Sequence, residues 1–578
     1  MAGPTAPKDP EKARPFFYIL KDKDIFGERQ KDGTGIQFIY ESDGRLINSA
    51  QITGNVTDKE ELTLLETVEG FGRLVHSIGV SVETDRPEET AEFVFQMYGK
   101  KDLYGGGTNL TTSLKCDGME HRIYLSDYRW TEDDHVPGQI KILFAAPERM
   151  GKVSVRLFLN DGYEAPPEEE DLVIDMHSEE YCGMISRSLL QLGNPYRIRK
   201  AIEKSKAGKE VTLAYIGGSI TQGAGAIPIH TECYAYKSFQ LFQNRFSTQN
   251  NVRFIKAGVG GTPSELGMIR FDRDVLREGE RPDIVVIEFA VNDEGDETKG
   301  VCYESLVRKV LKLPWKPAVV LLFSVFANDW NLQERLRPVG DLYDLPMVSI
   351  RDAVTPQFSL KCGEGRILSK NQFFYDIFHP NNTGHTIMAD CLQYLFERCD
   401  AAEPARIGTF VEGMTEEQIL SEKLSGPAVI GADFERIFLL DKKNRYVGAK
   451  IRAGSFTSTD MELQSVEMDG NLIQTPEFPY NWMYDGSRPQ MPGFEMEIIC
   501  KSLFLIFKDS GEMDVGKADV FVNDVYCMTA DPHKNNWLHC NAVLLFWETE
   551  SRSHKVRIAV TEEDRNKKFT ILGFGYTI

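Results

Sequence analysis

Alternating apolar and polar residues fill the first part of the chain. Gly35-Ile-Gln-Phe-Ile-Tyr40, Ala91–Tyr98 and Gly151–Leu159 each repeat with a period near two, the pattern of a half-buried antiparallel strand. Glycine, asparagine and aspartate turns separate them, so residues 1–175 are predicted to form a β-sandwich or jelly roll. A proline-rich acidic linker, Asn160 to Asp171, closes that segment. Over residues 176–402 the pattern changes. Ile198–Lys206 has a helical period ending at Gly208, and a longer helical pattern runs through Tyr234–Phe242. Between such helices lie Val211–Gly217, Val252–Lys256, Asp283–Phe289 and Ala318–Phe323, short runs dominated by Val, Ile, Leu and Phe. Strands that are apolar on both faces belong to a parallel sheet covered by helices. The expected fold is therefore α/β, a three-layer flavodoxin-like domain with a parallel sheet. From 403 to 578 short strand patterns return, at Val447–Arg452, Ser502–Phe507, Ala518–Val522, Lys555–Val560 and Phe569–Ile578. They predict a second β-sandwich of jelly-roll type.

Composition narrows the function classes. A chain of 578 residues exceeds one hydrophobic core. Its net charge of −21 argues against nucleic acid or an anionic membrane as partner, since both demand a basic surface. The first twenty residues lack the apolar core of a secretory leader, and no run reaches the ~18 apolar residues of a membrane span. Ten cysteines are scattered without CxxC pairs, which fits free thiols in a reducing compartment. A cytoplasmic protein is expected.

Four segments of the central domain carry chemistry, each just after a predicted strand. They are Gly217-Gly218-Ser219, then Ala257-Gly-Val-Gly260-Gly261-Thr262, then Ala290-Val-Asn292-Asp293, and finally Asp376-Ile-Phe-His379-Pro380. Open α/β sheets bind ligands at the carboxyl ends of their strands. Ester hydrolysis needs a nucleophile, a base, and donors aimed at the oxyanion. Ser219 is the candidate nucleophile and His379 the base. Asp376, three residues earlier, is placed to orient the imidazole. The backbone N–H groups of Ser219 and Gly261 and the amide of Asn292 form the candidate oxyanion hole. No GK[ST] loop is present, the strand after the first glycine turn ends on Lys256 and not on an acid, and the histidines are dispersed. Phosphate-loop, dinucleotide and metal readings therefore fail, and neither cofactor nor metal is expected. His385 reads as structural. His230 and Cys233 could line the pocket, although a helix-entry role suits them better.

In order and spacing the four segments resemble the four blocks of the SGNH (GDSL-like) hydrolase superfamily, over roughly residues 180–400. The resemblance implies a serine hydrolase in which Ser219, Gly261, Asn292, Asp376 and His379 take the family roles. Two positions depart from the pattern: Gly218 stands where the family motif has Asp, and Ala290 replaces the glycine of GxND. Flanking β-domains make the chain resemble multidomain carbohydrate acetylesterases, which implies an acetylated xylo- or manno-oligosaccharide as substrate. Trp537 and His539, set among hydrogen-bonding side chains in Lys534–Asn541, are candidate sugar contacts. The loop Tyr104–Asn109 is a weaker one. Competing expectations are a lipase or thioesterase acting on acyl lipids or acyl carriers, an inactive glycan-binding protein, and flanking domains that serve only oligomerisation. The sequence leaves the oligomeric state open.

Overall fold

The computed structural model describes residues 14–39, 45–101, 105–168, 170–402 and 414–578. Tyr40 and Tyr104, named above, lie outside them, as do the first thirteen residues. The backbone divides into two compact units that cut across chain order. One holds residues 1–175, 225–228 and 356–384, and the other holds 176–224, 229–355 and 385–578.

The first unit is built on two antiparallel sheets. In one, Phe16–Phe26 pairs with Met150–Leu159, which pairs with Val75–Thr84 and then His121–Tyr124. The other runs Glu28–Arg29, Gly35–Ile39, Asp134–Phe144, Thr90–Gly99 and Asn109–Lys115. Ile78, Val80 and Val82 of the first sheet share one core with Phe93, Phe95 and Met97 of the second. Each triplet is spaced two residues apart, so the period-two pattern is the sandwich interior.

Residues 356–384 fold with this sandwich, far from it in sequence. Tyr375 packs against the sandwich core. Lys23, 3% exposed, donates from Nζ to the carbonyl of Phe374 and, at 3.4 Å, to that of Asn371. Asn371 Nδ2 donates to Lys21 O, and Gln372 Nε2 to Leu172 O at 2.7 Å. A buried ammonium ordinarily costs free energy unless its protons are used, and here backbone carbonyls of the Asp376–His379 segment use them.

The second unit contains a six-stranded sheet: β1 (Leu189–Gln191), β2 (Val211–Gly217), β3 (Val252–Gly258), β4 (Ile284–Glu288), β5 (Ala318–Phe323) and β6 (Met347–Ser349). Spatial order is β1-β6-β5-β4-β2-β3. All pairs are parallel except β1 with β6. Every residue of β2, β4 and β5 is buried. Omitting the antiparallel edge, the order is that of flavodoxin, with the switch point between β2 and β4. The helix read as starting at Ile198 spans Tyr196–Lys206, and Gly208 beyond it sits at φ +73°.

The C-terminal strands form an eight-stranded antiparallel sheet. Two of its strands are far longer than the short runs expected from sequence: Phe494–Asp509 has 16 residues and His539–Val560 has 22. Their pairing continues through two register shifts, at Cys500/Ser502 and Leu503/Phe504. Val447, read as a strand start, is fully exposed, and the strand begins at Ala449. One face of this sheet has no core of its own. Phe504 and Ile506 join the core of the α/β sheet, whereas Leu503, Leu505 and Phe507 line the opposite face. Among the described residues no helix is long and apolar enough to cross a membrane.

Because Lys23 holds carbonyls that no sheet partner reaches, Lys23→Met should destabilise the first unit by about 1.5–3 kcal/mol. Hydrogen exchange should speed up across residues 371–381 while the strand Thr90–Gly99 keeps its protection. Unchanged exchange in 371–381 would show that Lys23 does not hold the segment.

Candidate active site

Parallel register brings three chain segments to the same level. Gly217, the last residue of β2, lies opposite Gly258 of β3 and Glu288 of β4. Ser219, Gly261 and Asn292 follow two, three and four residues later. They leave the sheet at its topological switch point. Arg270, fully buried, ties two of the strand-end carbonyls together. It donates to Gly217 O and Ala257 O, both at 2.8 Å, and pairs with Asp274 at 2.9 Å.

Ser219 is half-buried and opens the short helix Ser219–Gln222. The helix is anchored below by Thr221, whose Oγ1 shares a hydrogen bond with the Tyr234 hydroxyl (2.8 Å) and donates to Glu288 Oε2 (3.1 Å). The residue before the serine explains the first departure from the family pattern. A Cβ built on Gly218 would lie 2.3–2.6 Å from the side-chain amide atoms of Asn292. A side chain there would meet the amide, so Asn292 would have to shift to admit one. Ala290 explains the second. It does not have a positive φ, so its position makes no demand for glycine.

Gly261 does make that demand, at φ +70°. A Cβ on it would also lie 2.8 Å from the Trp537 ring and 3.0 Å from His539 Nε2. The glycine loop is thus lined by the C-terminal sheet. His539 Nε2 donates to Gly261 O at 3.0 Å, and Gln464 Nε2 donates to Gly260 O at 2.9 Å. From the serine side, Gln222 Oε1 accepts the Gly260 N–H at 3.0 Å. The ideal Cβ of Gly260 lies 3.9 Å from Ser219 Cβ. Asp293, beside Asn292, accepts the Ser264 N–H at 2.7 Å, tying the Asn292 loop to the helix that follows Gly261. Burial pushes the Asp293 carboxyl up to about 8.

The candidate acid–base pair, Asp376 and His379, belongs to the first unit. His379 Nδ1 lies 2.8 Å from Asp376 Oδ2. Asp376 Oδ1 accepts the N–H groups of Phe378 (2.7 Å) and His379 (2.9 Å). Desolvation pushes this carboxyl up, but the neighbouring imidazole and the two N–H donors outweigh it and hold the group below the ordinary carboxylate range. A carboxylate so held makes Nδ1 the protonated nitrogen and leaves Nε2 as the basic one.

The remaining candidates fall in different places. Trp537 is 44% exposed, with its ring 4.6 Å from that of His539. His539 is buried, and its Nε2 is committed to Gly261. His230 lies in the short helix Ile229–Glu232 with its Nδ1 unpartnered among the described residues. His385 is fully buried between two backbone groups, accepting Tyr234 N–H and donating to Ala224 O, each at 3.1 Å. No cluster of metal-binding side chains occurs among the described residues. Sequence reasoning missed Gln222 and Gln464, because a glutamine at the end of a short helix or in a loop carries no periodic or motif signal.

Residues 215–387 match the model of the GDSL-like lipase/acylhydrolase family. No curated protein matches the chain. Among solved structures, a two-domain esterase (CEX) active on acetylated mannans shares 22% identity, covers 68% of this chain and 98% of its own, and has a TM-score of 0.54. The same esterase co-crystallised with mannopentaose gives 23%, 68%, 98% and 0.53. At that identity the likeness establishes the fold, an SGNH α/β sheet with added antiparallel β-domains.

Two measurements check this geometry. Gly218→Asp, which restores the family sequence, should cost about 1–3 kcal/mol and displace Asn292 in a crystal structure. An unmoved Asn292 would refute the steric reading. Burial lowers the His539 pKa from 6.5 to about 4. The unfolded chain therefore binds a proton that the folded chain refuses between those values, so stability falls as pH drops through that window, by about 1.4 kcal/mol per unit. His539→Gln should flatten this part of the pH–stability curve, and an unchanged slope would contradict it.

Proposed function

We propose that the protein is a serine esterase that removes O-acetyl groups from carbohydrate through an acetyl-serine intermediate. The observation that carries this reading is the meeting of Ser219, the Gly260–Gly261 turn and Asn292 at the switch point of the parallel sheet. Ser219 Oγ attacks the acetyl carbonyl. His379, held by Asp376, takes the serine proton at Nε2 and returns it to the departing sugar hydroxyl. Charge on the former carbonyl oxygen is met by the N–H groups of Ser219 and Gly261 and by the Asn292 amide. Water then hydrolyses the acetyl-enzyme by the same proton route.

Support for a mannan-derived sugar comes from the solved structure similar over two thirds of this chain, an esterase active on acetylated mannans that was co-crystallised with mannopentaose. Acetylated manno-oligosaccharides are accordingly favoured over xylo-oligosaccharides. Trp537, exposed beside Gly261, offers a face on which a sugar ring can stack. The same reading divides the chain into a β-domain (1–175), a hydrolase domain (176–402) and a second β-domain (403–578). Its cytoplasmic address suits imported oligosaccharides.

Mass spectrometry of a panel of acetylated manno- and xylo-oligosaccharides tests the reading. Wild-type protein should strip acetyl groups from the mannan-derived members first. Ser219→Ala should slow this by about a thousandfold or more. Near-normal deacetylation by Ser219→Ala would overturn the mechanism, and turnover of long-chain acyl esters without acetyl-sugars would overturn the substrate.

A further inference from the structure

Building on the esterase reading above, we propose that Gln464, in the loop that leads into the strand Ser465–Glu467, is the positioning residue that sets the direction of the Gly261 oxyanion donor. A trans peptide is rigid, and its C=O and N–H point in opposite directions. The Gly260 carbonyl and the Gly261 N–H belong to one such peptide. Whatever holds that carbonyl therefore aims that N–H.

The holder is Gln464, at 2.9 Å through Nε2. Its own orientation is not free. Oε1 accepts the Cys540 N–H at 2.9 Å, which forces Nε2 toward Gly260. Gln464 is 7% exposed, so water offers little substitute. Neighbouring groups pin the peptides on either side. Gln222 takes the Gly260 N–H, and His539 donates to the Gly261 carbonyl. Three side chains thus occupy three of the four polar backbone groups of the two glycines, and the Gly261 N–H is the one left over.

The alternative state is easy to name. Two consecutive glycines have almost no steric barrier to rotation of the peptide between them. Were the Gly260 carbonyl to lose its donor, the peptide could turn over, carrying the N–H away from the oxyanion. A carboxylate in place of the Gln464 amide would favour that turn. It would repel the carbonyl and accept the N–H in its stead.

Gln464→Glu tests this directly, with Gln464→Met as a second variant that removes the donor without supplying a new acceptor. The readouts are the crystal structure of each variant and steady-state hydrolysis of p-nitrophenyl acetate. Gln464→Glu should show the Gly260–Gly261 peptide turned over, with kcat down about a hundredfold, the cost of removing one oxyanion donor. KM should change less than threefold. Gln464→Met should lower kcat by a smaller factor in the same direction. A native peptide orientation in both variants, or a loss confined to KM or to thermal stability, would overturn the proposal. A wild-type protein inert toward the ester would count against the esterase reading, and the peptide's orientation in the variants would still decide the role of Gln464.

Discussion

The close contact between Gly218 and the Asn292 amide is the constraint that joins two loops at the end of the parallel sheet. Chain segments leaving adjacent strands normally stay a side chain apart. Here β2 and β4 end level with one another, and the amide of one loop rests on the bare α-carbon of the other. That approach places Asn292 beside Ser219 and admits the aspartate found at this position in the family pattern only if Asn292 shifts. The helix Ser219–Gln222, the Thr221–Tyr234–Glu288 cluster beneath it and Arg270 across the strand ends all serve to hold backbone where two loops leave no room for adjustment.

A second layer of control comes from distant parts of the chain. The Asp376–His379 turn folds with the N-terminal sandwich, through Lys23 and the residues around Asn371. The glycine turn is held by His539 of the C-terminal sheet and by Gln464 of the loop before Ser465–Glu467. The flanking β-domains are therefore part of how the site residues are supported. In the C-terminal case the integration extends to the interior, since Phe504 and Ile506 complete the core of the α/β sheet. Removing that sheet would expose the shared face as well as release the glycine turn.

Three of the four candidate segments were legible in the sequence because each follows a strand whose apolar run is unmistakable; the fourth, expected after a strand, instead follows the short helix Lys370–Phe373 and was legible only through its DxxHP turn. The sandwich strands were legible for a similar reason, their period of two. What escaped was non-local. The edge strand Leu189–Gln191 and its neighbour Met347–Ser349 are three residues each, too short to show a period. The interior of Phe494–Asp509 is apolar on both faces because it separates two cores, a pattern indistinguishable from a short buried strand. Gln464 acquires its role only through Gly260, 204 residues away in the chain. His539 was picked out as a sugar contact from its neighbours in sequence, whereas its ring is turned to the backbone of Gly261.

The central claim is that Ser219 is the activated nucleophile. Labelling with a fluorophosphonate, followed by peptide mapping, tests it most directly. The account predicts one adduct per chain, on Ser219, with esterase activity lost in proportion, and labelling slowed strongly in His379→Ala. Complete labelling at another residue, or undiminished ester hydrolysis after Ser219 is fully modified, would contradict it.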